Sequence, residues 1–440
     1  MAGRRAQLYR TIWRWHFYAG LFVMPFVMLL SMTGAVYLFK PQIDRWEERA
    51  FRGLQTIHPA NGDQQVAQAL AHYPGAVLDS YRLPIDPGDA ALISIQLSDS
   101  RKRDVFVSPQ GKVLGDLDPE HRITALVFAL HGELLLGQKG AWLVELAGSW
   151  AIVMILTGLF LWWPAGRGAA GVIWPRLSLG RRAFWRDLHA VTGFWVSGFA
   201  LILLVTGLPW TGVWGSGFAA LRAQTGLVKS APDWAIGSHD HMATVPASVR
   251  PAAIPISAII AKAKAFNLAF PALIRPPGGP DAANNWSVKS ESQNRPLRVT
   301  LKFDAATGRL ALRTGFADSH PIDRAVGYGV AWHEGQLFGW INQLAGLLTA
   351  IALIVMMVSG FVLWRRRKPA GGLGAPAPRR VPARIGGVAI IILILATLLP
   401  MLALSLIAVV VLENMVFSRV ASIRNWLGIK AAGHQSPDRD

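Results

Sequence analysis

The feature that most constrains the fold is a long apolar stretch near the start of the chain, at residues 13–39. Its residues 17–39 carry no charged side chain. At about 1.5 Å of helix rise per residue, this length crosses a hydrocarbon core of about 30 Å. A cleaved signal peptide is the alternative, but the stretch is longer than the apolar region of a typical signal and no small-residue cleavage site follows it. We therefore expect a membrane-spanning helix.

The composition of the whole chain also indicates a bilayer. Of its 440 residues, 52% are hydrophobic and only 16% are charged, which is unusual for a soluble domain. The net charge of +18 comes from basic residues that cluster beside apolar stretches, a pattern of membrane topology rather than of a nucleic-acid-binding surface. Because the chain has no cysteine, disulfides, thiolate metal sites and haem attached through C-x-x-C-H are excluded.

The predicted fold is an α-helical integral membrane protein with five transmembrane helices, arranged as a two-fold internal repeat plus one helix. Two small periplasmic α+β modules are expected between the spans, because both polar regions combine an amphipathic helix with alternating strand patterns. The predicted segments are the N-terminus and first span at 1–39, the first module at 40–140, the second span at 141–163, a loop at 164–189, the third span at 190–210, the second module at 211–340, the fourth span at 341–364, a loop at 365–385, the fifth span at 386–412 and a tail at 413–440.

Within the two modules the pattern is specific enough to place individual elements. Helices are predicted at 63–72 and 256–266, and strands at 76–83, 91–97, 104–107, 286–289 and 297–303. A further strand is expected after each of the turns at 108–114 and 304–310.

The basic residues also set the expected orientation. The N-terminus and the loops at 164–189 and 365–385 are strongly basic, which predicts that they are cytoplasmic and that the two modules lie on the opposite side. With an odd number of spans, the C-terminus is expected on that opposite side as well.

Two of the predicted spans begin with the same pattern of histidine, glycine and threonine. In each, a glycine follows the histidine by four residues and a Thr-Gly pair begins seventeen residues after it. The two sets are His16, Gly20, Thr33 and Gly34, and His189, Gly193, Thr206 and Gly207. This agreement in spacing is the basis of the predicted repeat.

A second pair of histidines precedes the second and fourth spans. His131 and His333 each stand six residues before one glycine and twenty-seven residues before another. The histidines of the chain that lie at predicted span ends therefore form two pairs, one at each side of the membrane.

We interpret these four histidines as the axial ligands of two haem b groups. A repeat whose axis lies along the membrane normal would bring His16 to His189 and His131 to His333. Neutral imidazole is less costly to bury than a charged ligand, and two imidazoles on facing helices suit a six-coordinate haem. Room for the macrocycle is attributed to the glycines four residues after His16 and His189. Zinc or copper suits the pattern less well, because no carboxylate accompanies each pair at equal spacing.

Four basic side chains are candidates to bind the haem propionates. They are Arg14 and Arg186 on the inner side and Lys139 and Arg324 on the outer side.

Other polar residues receive structural interpretations. Glu334 is predicted to be interfacial, and Glu145, within the second span, is expected to snorkel towards the surface. His239 and His241 are interpreted as solvated loop residues, and the two Thr-Gly pairs as sites of close helix packing.

The histidines lie in motifs that resemble those of the PepSY-associated transmembrane family, whose members are also called PiuB-like or iron-regulated membrane proteins. The matching stretches are RWHFYAGLFVMPF at 14–26, SPQGKVLG at 108–115, LHGELLLG at 130–137, WRDLHAVTGF at 185–194, DAATGRL at 304–310 and WHEGQLFG at 332–339. The resemblance extends over roughly residues 8–368.

This resemblance implies a haem-containing ferric-siderophore reductase of the bacterial inner membrane. Such a protein would take electrons from an unidentified donor, a cytoplasmic flavoprotein or a quinol, and would reduce a ferric siderophore in the periplasm to release Fe(II). No catalytic side chain is expected, and neither a nucleotide nor a nucleic acid is expected to bind. Membrane lipid is the third expected partner, besides the siderophore and the electron donor.

Two other functions remain open. One is a non-redox PepSY sensor or assembly partner, in which the histidines are structural. The other is a transporter, although the spans contain almost no ionisable residue of the kind that proton-coupled transport uses.

Overall fold

The structure, a computed structural model, describes residues 2–163, 170–176, 180–226, 254–278, 284–376 and 386–429. The chain divides into two compact units. One, which we call the helical unit, comprises Met1–Ala35, Ala129–Leu221 and Ala345–Asp440. The other, the sheet unit, comprises Val36–Phe128 and Arg222–Leu344.

The described helices and strands are as follows. In chain order the helices are α1 (Ala2–Tyr37), α2 (Lys40–Glu47), α3 (Gly62–His72), α4 (Ile123–Glu133), α5 (Gln138–Trp162), α6 (Gly180–Gly207), α7 (Gly212–Gln224), α8 (Ile256–Lys264), α9 (Pro321–His333), α10 (Trp340–Arg367), α11 (Gly386–Leu398), α12 (Pro400–Leu412) and α13 (Ala421–Leu427). The strands are β1 (Val77–Arg82), β2 (Ala91–Gln96), β3 (Lys102–Val107), β4 (Val113–Leu117), β5 (Ala272–Arg275), β6 (Asn285–Ser290), β7 (Val299–Asp304) and β8 (Leu310–Gly315).

Among the described residues, five helical stretches are long and apolar enough to cross a membrane. They are Ala6–Tyr37, Gln138–Trp162, Gly180–Trp210, Trp340–Arg367 and Pro400–Phe417. Much of their apolar surface is exposed, as in Ile202, Leu348 and Phe361, which is the arrangement that a lipid environment stabilises.

Helices α1 and α6 run antiparallel to α5 and α10. At the C-terminal end of α10, the Arg367 guanidinium lies 5.1 Å from the ring of Trp13 and 4.9 Å from the ring of Phe17, both in α1. At the C-terminal end of α5, Trp162 stacks on Phe194 of α6 with 4.0 Å between ring centroids. We call the end of the helical unit that holds these contacts the inner end.

The sheet unit contains one antiparallel sheet of eight strands in the order β4-β3-β2-β1-β5-β6-β7-β8. The first four strands come from the first polar region and the last four from the second. They join where β1 pairs with β5, which sets Tyr81 opposite Ile274 and Arg82 opposite Leu273. The two α+β modules expected from the sequence therefore share a single sheet.

Helices α3 and α8 supply the apolar partners for one face of the sheet. Ile93, Ile274 and Leu301 on that face, and Ile259 of α8, are fully buried in one core. The carboxylate of Asp63 in α3 accepts the backbone N–H of Ile256, at 2.9 Å, and so stabilises the N-terminus of α8. Both halves of the sheet unit thus contribute to the same core.

The end of the chain differs from the expected single span at 386–412. Leu399 has a non-helical conformation, with φ −127° and ψ 87°, and it separates α11 from α12. Proline is favoured in the first turn of a helix because it needs no N–H there, so Pro400 begins α12 rather than lying inside one helix.

The helices α11 and α12 leave the inner end and return to it. Arg14 of α1 donates to the carbonyls of Pro376, before α11, and Gly428, after α13, at 2.6 and 2.8 Å. Between these points, Leu398 accepts from the indole of Trp214, at 3.0 Å, beyond the opposite end of α6. Residues 421–429 therefore lie at the same end as the start of α1. The sequence predicted that the C-terminal segment lies on the opposite side, and for these residues that prediction is wrong.

Engineered cysteines test the join between β1 and β5, because the native chain has no cysteine. Arg82 and Leu273 are directly opposite, and opposed Cβ atoms in such a pair lie about 4.5–5.5 Å apart. We expect the variant Arg82→Cys/Leu273→Cys to form a disulfide under mild oxidation, detected by mass spectrometry of the proteolysed, non-reduced protein.

The matched control moves one cysteine a strand further, in Arg82→Cys/Lys289→Cys, where we expect no disulfide because Lys289 lies on β6. A bond in the control pair, or none in the test pair, would contradict the strand order.

Peptide tags at the two ends of the chain test the return of the C-terminal segment. We expect both tags to be protected from external protease in intact spheroplasts and cleaved after permeabilisation, because α13 lies at the inner end where α1 begins. Cleavage of one tag alone in intact spheroplasts would contradict this topology.

Candidate functional site

His16 lies in α1 and faces α5. Its Nδ1 is 2.8 Å from the Oγ1 of Thr157. The Thr157 hydroxyl donates its single hydrogen to the Val153 carbonyl, at 2.7 Å, as helical threonines often do. A hydroxyl that donates there accepts from His16, and on this basis we assign the ring proton to Nδ1 and the lone pair to Nε2.

His189 lies in α6 and has the same proton position through different acceptors. Its Nδ1 is 3.0 Å from the carbonyl oxygen of Met356 and 3.3 Å from the Oγ of Ser359, both in α10. The Ser359 hydroxyl donates to that same carbonyl, at 2.9 Å. Because a carbonyl oxygen only accepts, Nδ1 of His189 is protonated and Nε2 carries the lone pair.

His131, near the end of α4, has a threonine acceptor like His16. Its Nδ1 is 2.9 Å from the Oγ1 of Thr33 in α1, and the Thr33 hydroxyl donates to the Leu29 carbonyl, at 2.8 Å. On the same basis we assign the ring proton of His131 to Nδ1. Thr33, interpreted from the sequence as a packing residue, accepts a hydrogen bond from a candidate ligand.

A glycine lies beside each of these three rings. A Cβ atom added at any of these glycines would lie only 3.2 or 3.3 Å from the ring Cε1, which is closer than ordinary van der Waals contact. The pairs are Gly158 with His16, Gly34 with His131 and Gly360 with His189. Without a side chain, these positions let each imidazole lie against a neighbouring helix.

The glycines four residues after His16 and His189 lie beside methionines in this structure. A Cβ atom at Gly20 would lie 3.2 Å from Cε of Met154, and one at Gly193 would lie 3.2 Å from Sδ of Met356. They accommodate methionines of α5 and α10, whereas the space for the inner histidine rings is provided by Gly158 and Gly360.

The shared proton position decides what these histidines can do chemically. A histidine whose Nδ1–H is held by the protein presents Nε2 in a fixed direction, as metal-ligating histidines do. Among the described residues, no group of three or more His, Asp or Glu side chains is placed to hold a metal ion. Two imidazoles that each present Nε2 would suit a cofactor with two axial positions, such as haem b.

Of the two predicted pairs, the inner one lies within a single unit. His16 and His189 both belong to the helical unit and are half-buried. His131 belongs to the helical unit and His333 to the sheet unit, and their pairing stays a prediction.

The four propionate candidates have different surroundings. Arg14 donates to two backbone carbonyls, and Arg186 donates from Nε and Nη2 to Asp187. Lys139 is exposed at the start of α5, and Arg324 is half-buried in α9. The two inner candidates thus already have protein acceptors.

Asp187 is a buried acid that sequence reasoning did not single out. It is 1% exposed and accepts from the Arg176 backbone N–H and guanidinium, at 2.7–3.3 Å, as well as from Arg186. This pairing holds residues 170–176 against α6, two residues from His189. The sequence feature that could have identified Asp187 is its position as a single acid within a strongly basic stretch.

Two glutamates differ from their sequence interpretation. Glu145 is 2% exposed and accepts the backbone N–H groups of Val213 and Trp214, at 2.8 and 3.0 Å, so it stabilises the N-terminus of α7 rather than snorkelling. Glu334 is 5% exposed and pairs with Arg295, at 3.2 Å, so the interfacial interpretation is wrong. Burial raises the pKa of the Glu334 carboxyl, while nearby arginines oppose the rise.

His239 and His241 lie outside the described residues.

Together, the apolar spans and the sheet unit define a helical multi-pass membrane protein. The chain matches a family model described as the PepSY-associated TM region over residues 13–367. It therefore belongs to the PepSY-associated transmembrane family, as its motifs indicate. Helices α11 to α13 follow the matched region. No curated protein matches the chain.

Replacement of Thr157 by valine tests the proton position of His16. Thr157→Val keeps the side-chain shape but removes the acceptor of the buried Nδ1–H, so we expect a loss of about 1–3 kcal/mol in the free energy of unfolding. In ¹⁵N NMR of the histidine-labelled protein, the ring-nitrogen signals of His16 should shift away from those of the Nδ1–H tautomer.

The matched control is Thr397→Val in α11. Thr397 makes the same helix-internal bond, to Leu393, and is exposed. We expect this variant to alter the free energy of unfolding by less than about 0.5 kcal/mol. It should leave the histidine NMR signals unchanged. Equal effects of the two variants would mean that Thr157 does not determine the His16 proton position.

Proposed function

We propose that the protein carries electrons across a membrane through two haem b groups. The axial pairs are His16 with His189 and His131 with His333. The observation that carries this proposal is the common environment of Nδ1 in His16, His131 and His189, each of which lies 2.8–3.0 Å from an oxygen atom of a neighbouring helix. The tautomer assigned to all three rings places the lone pair on Nε2, the form that ligates a metal.

The chain's own residues prepare the ligands. Thr157, Thr33 and the Met356 carbonyl hold the ring planes, and the facing glycines let the rings lie close to the neighbouring helices. When bound, the haem iron supplies reversible one-electron chemistry.

We further propose that the outer side of this carrier reduces a ferric siderophore, which makes the protein a ferric-siderophore reductase. One electron converts Fe(III) in the chelate to Fe(II), and the softer, less charged ion is held less tightly by hard oxygen ligands. The membership in the PepSY-associated transmembrane family supports this reading, because the resemblance that implies it rests on the same four histidine motifs.

The electron donor acts at the inner end. The donor that we propose is a cytoplasmic flavoprotein or a membrane quinol. The strongly basic inner segments support a cytoplasmic inner end in a bacterial inner membrane, with the siderophore on the periplasmic side.

A pyridine haemochrome assay on purified histidine variants tests the proposal. We expect about two haems per wild-type chain, about one in His16→Ala, His189→Ala, His131→Ala or His333→Ala, and none in His16→Ala/His131→Ala, because each macrocycle needs both imidazoles. His72→Ala, at an exposed position of α3, is the control and should retain about two.

The reductase step is tested separately with the dithionite-reduced wild-type protein. Ferric hydroxamate chelate should return the haem spectrum to the oxidised form while a ferrous trap collects one Fe(II) for each haem oxidised. A colourless wild-type protein would refute haem binding and leave the sensor or assembly role. A haem protein that the chelate does not oxidise would refute only the substrate.

A further inference from the structure

The register between α6 and α10 brings arginines of the two helices together at the inner end of the helical unit. His189 of α6 contacts Ser359 of α10, with 3.3 Å between Nδ1 and Oγ, and a Cβ atom at Gly193 would lie 3.2 Å from Sδ of Met356. The residue numbers of these contacting positions rise along α6 and fall along α10, as they do in an antiparallel pair. The contacts therefore define which residues of the two helices face each other.

Two helical turns further towards the inner end, this register leads to an arginine on each helix. Arg182 lies seven residues before His189 in α6, and Arg366 lies seven residues after Ser359 in α10. Seven residues correspond to about 10 Å of helix rise and return to nearly the same face of the helix. Arg182 and Arg366 therefore lie at the same level, on facing sides of the two helices.

Arg367 follows in α10 and completes a group that we call the inner arginines, Arg182, Arg366 and Arg367. Its guanidinium lies 5.1 Å from the ring centroid of Trp13 and 4.9 Å from that of Phe17, both in α1. Stacking on aromatic rings holds a guanidinium in place but does not use its N–H donors. The inner arginines thus combine side chains from α6 and α10 with an aromatic support from α1.

No carboxylate neutralises the inner arginines within the described part of the chain. All three are exposed, and no described residue forms an ion pair or a hydrogen bond with any of them. Of the described acids at this end, Asp187 is buried and is paired with Arg176 and Arg186. Glu413 is exposed and pairs with no described arginine. Three positive charges on one small surface therefore call for an anion from outside the chain.

The depth of the inner arginines in the membrane indicates that this anion belongs to a lipid. Trp364 is the last residue of the uncharged part of α10, and Arg366 and Arg367 follow it by about 3–5 Å of helix rise. The headgroup layer is about 5–7 Å thick on each side of the hydrocarbon core, so the guanidinium groups lie at the level of the lipid phosphates. Basic pockets between transmembrane helices bind anionic headgroups at this level.

We propose that the inner arginines bind the phosphate of an anionic phospholipid. Arg182 and Arg366 donate to the phosphate oxygens from α6 and α10, while Arg367, stacked on α1, supplies the third positive charge. Guanidinium groups suit this role because their paired N–H donors match two phosphate oxygens. The bound lipid joins α6, which carries His189, to α10, which provides the acceptor of its Nδ1–H. The site is independent of the proposed haem function.

Native mass spectrometry of the full-length protein in a neutral detergent tests this site. The probes are phosphatidylglycerol and phosphatidylcholine with the same acyl chains, and inorganic phosphate is the competitor. We expect phosphatidylglycerol to bind more tightly than phosphatidylcholine, whose headgroup has no net charge, and to resist displacement by inorganic phosphate. Arg182→Gln/Arg366→Gln should weaken phosphatidylglycerol binding about a hundredfold, which is tenfold for each charge-assisted hydrogen bond lost.

The matched control is Arg181→Gln/Arg365→Gln, which removes the same charge from the same two helix ends. Both residues are exposed, and each precedes an inner arginine by one position, so each lies about 100° away around its helix. We expect the control to keep the wild-type affinity for phosphatidylglycerol within about threefold, because salt screens exposed charges that do not contact the lipid.

Three results would overturn the inference: equal weakening in both double variants, equal affinity for the two lipids, or displacement of phosphatidylglycerol by inorganic phosphate. Circular dichroism shows whether each variant is folded. If Arg182→Gln/Arg366→Gln is not, Arg367→Gln decides, with an expected loss of about tenfold. Full retention of phosphatidylglycerol by the folded double variant would also overturn the inference and assign the inner arginines to an acidic protein partner.

Discussion

The hydrogen bond from a histidine Nδ1 to an acceptor on another helix is the interaction that organises the helical unit. A ring N–H within a membrane has no water to accept it and must find a protein acceptor. That need links α1 to α5 through His16, α4 to α1 through His131, and α6 to α10 through His189. Each bond fixes the position of one helix along the axis of the next. With the proton on Nδ1, Nε2 is the basic atom of the ring.

Close approach between the helices and neutralisation of the buried acids complete the packing of the helical unit. The glycines beside the rings allow the helices to meet, because any side chain there would press on an imidazole. The buried acids Glu145 and Asp187 are each satisfied, one by a helix N-terminus and the other by two arginines. The buried acids of α5 and α6 are therefore each neutralised within the protein.

Features that depend on neighbouring residues could be predicted from the sequence, and those that depend on distant pairing could not. Apolar length gave the first four spans, and alternation gave all strands except β5, such as β2, predicted at 91–97 and found at Ala91–Gln96. Strand β5 has four residues, too few for a clear alternation, and it is defined by pairing with β1. The break at Leu399 was missed because a proline is compatible with both a kinked helix and a new one.

The candidate site shows the same division. Equal spacing identified the histidines and the Thr-Gly pairs, but the role of Thr157 depends on which residue faces His16 across the bundle. Likewise, spacing along one helix attributed room for the macrocycle to Gly20, whereas the space beside the His16 ring itself is left by Gly158, on a different helix. A single sequence contains the periodicity of each helix and not the register between helices.

The position of β1 at the centre of the sheet has a consequence for biosynthesis. A ribosome completes β1 at Arg82 and reaches β5 only at Ala272, so the newly made first half presents an unpaired strand edge throughout the intervening translation. Such an edge readily pairs with other chains. Chains that are released early or truncated between the two halves would therefore be prone to aggregate. Once β5 is made, its pairing with β1 covers the exposed edge.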